Sequence, residues 1–329
     1  MKLLRYLLLL AFMAVDVGAG PQTPPDPREA FRVYVHDLWQ VEDGVPQNSI
    51  QSIAQTTNGY LWLGTETGLV RFNGTQFKVF NHKNTGGLKD DYILSLFADD
   101  DGSLWIGTRQ GGLTRLHNDR FEQVSDGGSS HSRVTAILRD RDHKLVLGTK
   151  AGLKQLVHGA LGNLRWPGLA ADEDITDLRL GRDDDLWIGT ESSGLIRIRP
   201  SGTVRYTTAQ GLSSNKILSL CKDRAGNMWI GTDGGGIDEF KGGRFSVYGQ
   251  HEGLTNQTVR AIAESVDGYL FAGTDGGGLN RLEGSRFRAY TTADGLPTDL
   301  VSALFEDREG SLWIGGDVEG SIVSSPEMF

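Results

Sequence analysis

Gly59-Tyr60-Leu61-Trp62-Leu63-Gly64-Thr65-Glu66-Thr67-Gly68-Leu69 is one copy of a phrase that runs through the whole chain. Its core is close to Gly-x-Leu-Trp-Ile-Gly-Thr. The second glycine falls at Gly64, Gly107, Gly148, Gly189, Gly231, Gly273 and Gly315, at intervals of 43, 41, 41, 42, 42 and 42 residues. In the last copy Gly316 stands where the others have threonine. A fixed period in the forties with glycine and aromatic markers is the signature of propeller blades.

Each repeat reads as four short strands. In the sixth, residues 259–263, 269–274, 279–282 and 286–291 are strand-like, separated by the turns Ser265-Val266-Asp267-Gly268, Asp275-Gly276-Gly277-Gly278 and Glu283-Gly284-Ser285. Segments this short, set between close turn signals, exclude helical repeats. The second strand is an almost unbroken apolar run, as in Leu104-Trp105-Ile106 and Leu186-Trp187-Ile188. A strand covered on both faces requires that pattern. Its tryptophan, at 62, 105, 187, 229 and 313, is suited to fill the wedge between adjacent blades. Val146 and Phe271 replace it in the third and sixth repeats, so those two blades are expected to pack differently. The third also has a poorly marked fourth strand, read at 163–166.

The expected fold is therefore an all-β, seven-bladed propeller of four-stranded antiparallel blades over 31–325. The seventh repeat offers strands at 300–305, 311–315 and 320–323 but no fourth. Within 31–40, Phe31, Val33 and Val35 alternate with Arg32, Tyr34 and His36, the period-two pattern of a half-buried strand. That segment is expected to complete the last blade and close the ring, removing an exposed edge. Upstream, Lys2 and Arg5 precede an apolar run from Leu7 to Val15, and Val17-Gly18-Ala19 offers small residues for cleavage. Residues 1–19 read as a signal peptide and 20–30 as a flexible lead-in. A later run of about 18 apolar residues, as a membrane helix needs, is not found.

The sequence has 329 residues, 45 of them glycine, and a formal net charge of −9. An acidic chain without a basic stripe argues against nucleic acid and against anionic lipid as partners. The single cysteine, Cys221, leaves no internal disulfide to form and reads as a buried structural thiol. Export without disulfides fits a bacterial periplasm.

The segment 59–69 and its copies resemble the two-component regulator propeller repeat. So do the spacer Asp294-Gly295-Leu296-Pro297, with Val301 beyond it, the matching Asp43-Gly44-Val45-Pro46, and the opening Leu38-Trp39-Gln40-Val41-Glu42-Asp43-Gly44. The resemblance implies an extracytoplasmic sensor region of the kind that precedes a membrane-bound histidine kinase or diguanylate cyclase. Neither a kinase motif nor a cyclase domain occurs in this sequence, so the expectation is a sensor without its own output domain, with such a kinase or cyclase as a partner.

Propellers bind ligands chiefly at one mouth of the channel. The loops between second and third strands bring Glu66, Arg109, Gln110, Lys150, Glu191, Asp233, Asp275 and Asp317 there. The loops from one blade to the next bring Asn48, Asp91, His131, Asn215, Gln257 and Asp299, with Gln47, Asp90, Asp172 and Asn256 beside them. Together they suggest a polar pocket for a small molecule or glycan. Each of them is also an ordinary turn residue. The Asp-Gly-Gly-Gly turns at 233–236 and 275–278 lack the lysine and helix of a phosphate loop. The acidic runs 99–101 and 183–185 lack calcium-loop spacing and read as solvated turns. The seven histidines show no paired metal spacing, and no Gly-x-Ser-x-Gly elbow or other catalytic set appears. No cofactor or metal is implied. A propeller lyase resembling streptogramin lyase, or a protein-binding scaffold, stand as the alternative functions.

Overall fold

The computed structural model describes residues 37–39, 49–126, 133–183, 185–316 and 322–324. The expected signal peptide, the lead-in and the alternating stretch 31–36 lie outside them.

The chain is an all-β propeller of four-stranded antiparallel blades. Six blades are each made of four consecutive strands, within 50–80, 93–123, 134–163, 175–206, 217–248 and 259–290. Blade 6 has strands at Val259–Glu264, Leu270–Thr274, Leu279–Glu283 and Arg286–Tyr290, each within one residue of its expected ends. A further sheet is composite. It takes Val301–Glu306, Leu312–Gly316 and Ile322–Ser324 from the end of the chain and Asp37–Trp39 from its start. Leu38 pairs with Val323 and Trp39 with Ile322. The third strand of that sheet is described over Ile322–Ser324, and the first two residues of its expected range, 320 and 321, lie outside the described residues.

Why the motif needs its glycine is visible in the packing. A Cβ at Gly107 would lie 2.7 Å from Val134 Cγ1, and one at Gly189 would lie 2.8 Å from Ile217 Cγ2. Each motif glycine faces the first β-branched residue of the next blade, so backbone meets side chain with no room between. The last one, Gly315, faces Ile50 of blade 1 at 2.8 Å. The two ends of the ring also meet through hydrogen bonds. Ser302 Oγ donates to the Ile50 carbonyl at 2.6 Å, and Arg308 N–H donates to Gln55 Oε1 at 2.9 Å. The motif threonine has a second task. Thr65, Thr108, Thr149, Thr190, Thr232 and Thr274 are fully buried, and each Oγ1–H donates to a carbonyl three or four residues on. That bond satisfies a buried donor and closes the loop to the third strand.

The tryptophans fill the wedges as expected. Each packs on the next blade: Trp62 on Ile93 and Ile106, Trp229 on Val259 and Leu270. Phe271 does the same, fully buried against Val301 and Ile314. The fourth strand of blade 3 is Ala160–Asn163, not 163–166. His158 (φ 49°) and Gly159 (φ 82°) form a two-residue turn with both residues left-handed, so the chain re-enters the sheet at once. The acidic runs are also not simply solvated. Asp99 is 4% exposed and accepts the Trp105 indole N–H at 3.0 Å and Arg139 Nε–H at 2.9 Å. Burial opposes its charge, but those bonds and the guanidinium outweigh it and hold the carboxyl below its ordinary value. Asp185 is buried with Arg197, whose Nε–H donates to it at 2.6 Å. Asp184 lies outside the described residues. Burial pushes the Cys221 thiol up to about 11, which leaves it a packing residue rather than a nucleophile.

The Gly-Leu spacer is a structural element in its own right. Thr208–Gln210, Gln250–Glu252 and Thr292–Asp294 are single 3-10 turns. Each ends on a left-handed glycine, Gly211, Gly253 or Gly295, followed by a buried leucine, Leu212, Leu254 or Leu296. Two of the loops beyond are tied to the sheet. Ser213 donates its N–H and its hydroxyl to Asp238, the hydroxyl at 2.9 Å, and Thr255 makes the same pair of bonds to Asn280.

Asp238 is fully buried, and burial pushes its carboxyl up to about 6, against the pull of the Ser213 bonds. The folded state thus holds the proton more tightly than the unfolded chain. The contribution of this group to stability is fully present below about pH 4, the usual carboxylate value, and is lost as pH rises through about 6. Asp238→Asn copies the neighbouring blade. It is expected to stabilise by about 1–2 kcal/mol at pH 7.5 and to be near neutral at pH 4. Denaturant unfolding at the two pH values checks this; an equal effect at both contradicts it.

Candidate functional site

The mouth is organised by one backbone bond repeated around the ring. The residue after Gly-Thr donates its N–H to the carbonyl of the residue just ahead of the first strand of the same blade. Arg109 bonds Tyr92, Lys150 bonds Arg133, Glu191 bonds Asp174, Asp233 bonds Lys216 and Asp275 bonds Thr258, at 2.9–3.4 Å. These bonds place two side chains per blade side by side at the same end of the strands.

The second of the pair then reaches back to the preceding blade. Tyr92 Oη–H donates to Glu66 at 2.8 Å, Lys216 Nζ meets Glu191 at 2.9 Å, and Thr258 Oγ1–H donates to Asp233 at 3.0 Å. Lys216 also meets Asp233 at 3.2 Å. Its hydrogen bonds to Glu191 and Asp233 raise the ammonium above its ordinary value, and that same bond lowers the Asp233 carboxyl. Arg260 Nη2 pairs with Asp275 at 2.7 Å. Asp174 runs the other way: burial, with Glu191 and Glu173 nearby, raises its carboxyl against the pull of Arg133 and Lys150.

The junction of blades 2 and 3 breaks the rule. The corresponding pair there is Arg109 and Arg133, two guanidiniums where Glu66 and Tyr92, Glu191 and Lys216, and Asp233 and Thr258 set an acceptor against a donor. Arg109 stacks on the Tyr92 ring at 5.1 Å. Among the described residues Arg109, Arg133 and Lys150 have no ion pair, and all three are exposed. The mouth is thus bipolar: a cationic sector at blades 2 and 3 without ion pairs, with Asp174 at its edge, and a carboxylate sector at blades 4 to 6 whose charge Lys216 and Arg260 offset.

The structure divides the expected site residues into two groups. Glu66, Arg109, Lys150, Glu191, Asp233 and Asp275 share the mouth. Asp91, Asn215 and Asp299 spend their side chains on the connecting loop. Asn215 accepts Thr208 N–H at 2.9 Å, Asp299 accepts Thr292 N–H at 2.7 Å, and Asp91 accepts His82 N–H at 2.7 Å. Gln110 donates its backbone N–H to Asp90 at 2.6 Å with its side chain exposed, and the Gln257 carbonyl accepts Gly236 N–H. Asn48, His131 and Asp317 lie outside the described residues. Tyr92, Arg133, Asp174, Lys216, Thr258 and Arg260 escaped the sequence reading. A signal existed: each of the first five directly precedes the buried β-branched residue that opens a blade. Of the five described histidines, His82 meets Asp91, His117 Ser103 and His251 Glu252, while His143 and His158 take left-handed turn positions.

Residues 44–67, 87–110, 211–234 and 295–317 match the family model described as two component regulator propeller. Among solved structures, the chain superposes on the extracellular domain of a hybrid two component system of B. thetaiotaomicron. The TM-score is 0.77 at 21% identity, over 89% of this chain and 42% of that one. A second such domain from the same organism gives 0.68 at 23%, over 85% and 38%. The chain therefore spans less than half the length of these relatives. Virginiamycin B lyase of Staphylococcus aureus gives 0.69 at 13% identity, over 88% and 98%. At these identities the likeness is one of fold. No curated protein sequence matches. Among the described residues, no helix is long and apolar enough to cross a membrane.

Proposed function

Because this chain carries repeats of the two component regulator propeller family, we propose that it is the ligand-binding part of a periplasmic sensor in two-component-type signalling. The composite sheet is its closing, seventh blade, and a removed N-terminal signal accounts for export. The ligand is a small molecule or glycan bearing an anionic group. It docks at the mouth with that group on Arg109 and Arg133 and its hydroxyls toward Glu191, Asp233 and Asp275. Output passes to a membrane histidine kinase or diguanylate cyclase.

The observation that carries this reading is the blade 2–blade 3 junction. Every other described junction whose pair is bonded sets a donor against an acceptor, whereas here two guanidiniums face each other, and among the described residues neither they nor Lys150 form an ion pair, the Asp174 carboxyl acting on Arg133 and Lys150 only at longer range. Such a cluster is stabilised by an incoming carboxylate or sulfate, which guanidinium recognises bidentately. Thermal-shift screening with uronate-containing, sulfated and neutral oligosaccharides and with carboxylate metabolites tests it. Ligand that binds only native chain raises the midpoint. An acidic ligand is expected to raise it in the parent, and Arg109→Ala and Arg133→Ala are expected to weaken binding about tenfold or more each. No shift across the acidic set, or a shift indifferent to both substitutions, contradicts the reading.

A further inference from the structure

At the end of the strands away from the mouth, four wedges hold an indole whose Nε1–H donates to the turn between first and second strands. Trp105 donates to Asp99 at 3.0 Å, Trp229 to Asp223 at 3.0 Å, Trp313 to Asp307 at 2.6 Å and Trp62 to Thr56 at 3.0 Å. Blade 6 has lost both partners together: Phe271 stands for the indole and Ser265 for the acceptor, and the ring fills its wedge completely.

Blade 3 has lost only one. Val146 takes the place of the indole, but Asp140 remains in the acceptor position with its turn intact. Its N–H donates to the Lys144 carbonyl at 2.9 Å and its Oδ1 accepts Lys144 N–H at 2.8 Å. Asp223 makes the same two bonds with Asn227. Among the described residues, the oxygen that in Asp223 takes the indole has no hydrogen-bond partner in Asp140. Valine is too short to fill what an indole fills. The blade 3–blade 4 wedge accordingly opens as a cleft of about 420 Å³, within the range of small-molecule sites. Its walls are Leu138 and Val146 on one blade and Leu186 and Ile198 on the other, with Asp140 and Trp166 at the rim. Trp166 is 38% exposed there, and the Nε of Arg199, which also lines the cleft, is buried without a hydrogen-bond partner among the described residues.

We propose that this cleft is a second binding site, for a flat heteroaromatic molecule of the indole class. The ring lies between the two blades where the tryptophan of other repeats lies, and its N–H donates to the free oxygen of Asp140. The repeat itself supplies the template: equivalent walls and an equivalent aspartate hold an indole in the wedges of Trp105, Trp229 and Trp313. Apolar walls contribute affinity and Asp140, of the three aspartates that line the cleft with Asp142 and Asp183, contributes orientation from the position that accepts the indole elsewhere.

The test is calorimetric titration of the full chain with indole and with 1-methylindole, which has the same ring without the donor. Indole is expected to bind with a dissociation constant in the micromolar-to-millimolar range. 1-Methylindole is expected to bind about tenfold more weakly. Val146→Trp supplies the ring from within and is expected to abolish binding while raising the melting temperature. Asp140→Asn, on the rim, keeps the cleft and is expected to weaken indole severalfold while leaving 1-methylindole unchanged. Absence of indole binding at millimolar concentration overturns the proposal. So does equal affinity for the two probes, or indole binding that persists in folded Val146→Trp protein. Arg109→Ala leaves this site untouched, so its fate is separate from that of the mouth.

Discussion

Trp229→Ala is expected to destabilise the fold by about 3–5 kcal/mol, the largest effect of any single truncation considered for this chain. The side chain lies between blades 5 and 6, packed on Leu254, Val259, Ile262, Leu270 and Phe287, with the Tyr248 ring 5.5 Å away. Its loss opens a cavity whose walls are the backbones of two sheets, which cannot collapse without breaking ladder hydrogen bonds. It also removes the indole N–H from Asp223, leaving a buried acceptor with Asn227 alone. At roughly 2–4 °C per kcal/mol for large domains, the melting temperature should fall by about 10 °C. Trp229→Phe is expected to cost far less, about 1–2 kcal/mol, since Phe271 fills the equivalent wedge of the next blade with no exposure. Calorimetric unfolding of the two variants decides it. Equal losses would mean that the indole hydrogen bond, rather than wedge volume, holds the blades together.

The features legible in the sequence were those that repeat. Glycine, tryptophan and threonine recur because each answers a contact made in every blade: close approach of the next blade, a wedge to fill, a loop to close. The strand ends of blade 6 could be read to within a residue for that reason. What escaped the reading depended on departures from the repeat or on partners distant in sequence. The 3-10 turns rest on a left-handed glycine plus a capping side chain three residues apart, a pattern too short for periodicity to show. Lys216 meets Glu191 and Asp233 because backbone bonds set neighbouring loops edge to edge, so loop residues were legible and their pairing was not. Asp91, Asn215 and Asp299 have the same composition as binding residues, and only the structure reveals that their oxygens are used by the loop itself. Val146 looked like a conservative apolar change. Its consequence appears only when the retained Asp140 and the opposing blade are placed around it.

Trp39→Ala tests the contribution of the N-terminal strand to the junction of the two ends, beside the contacts of Ser302, Arg308 and Gly315 with blade 1. Trp39 lies on the short N-terminal strand, stacked nearly parallel on Trp313 with ring centres 5.2 Å apart, and it also touches Phe72 at 5.0 Å and Phe77 at 6.2 Å. It therefore joins three things at once: the start of the chain, the last complete strands and the outer half of blade 1. Its truncation is expected to cost about 3 kcal/mol through lost aromatic burial. The consequence is larger than that figure, because of where the contact sits. In an open array each module has support only from its sequence neighbours, and the two terminal modules have one neighbour each. Loosening Asp37–Trp39 exposes an edge of the composite sheet, which is a template for association. The variant should therefore melt about 6–12 °C lower. Amide exchange should quicken first in 301–316 and 50–55, where Ser302 and Arg308 bond to blade 1, while 217–248 stays protected. Trp229→Ala, by contrast, should loosen blades 5 and 6 and leave the junction of 302 with 50 intact. If Trp39→Ala melts within about 1 °C of the parent, or exchange quickens evenly around the ring, the N-terminal strand is not what holds the two ends together.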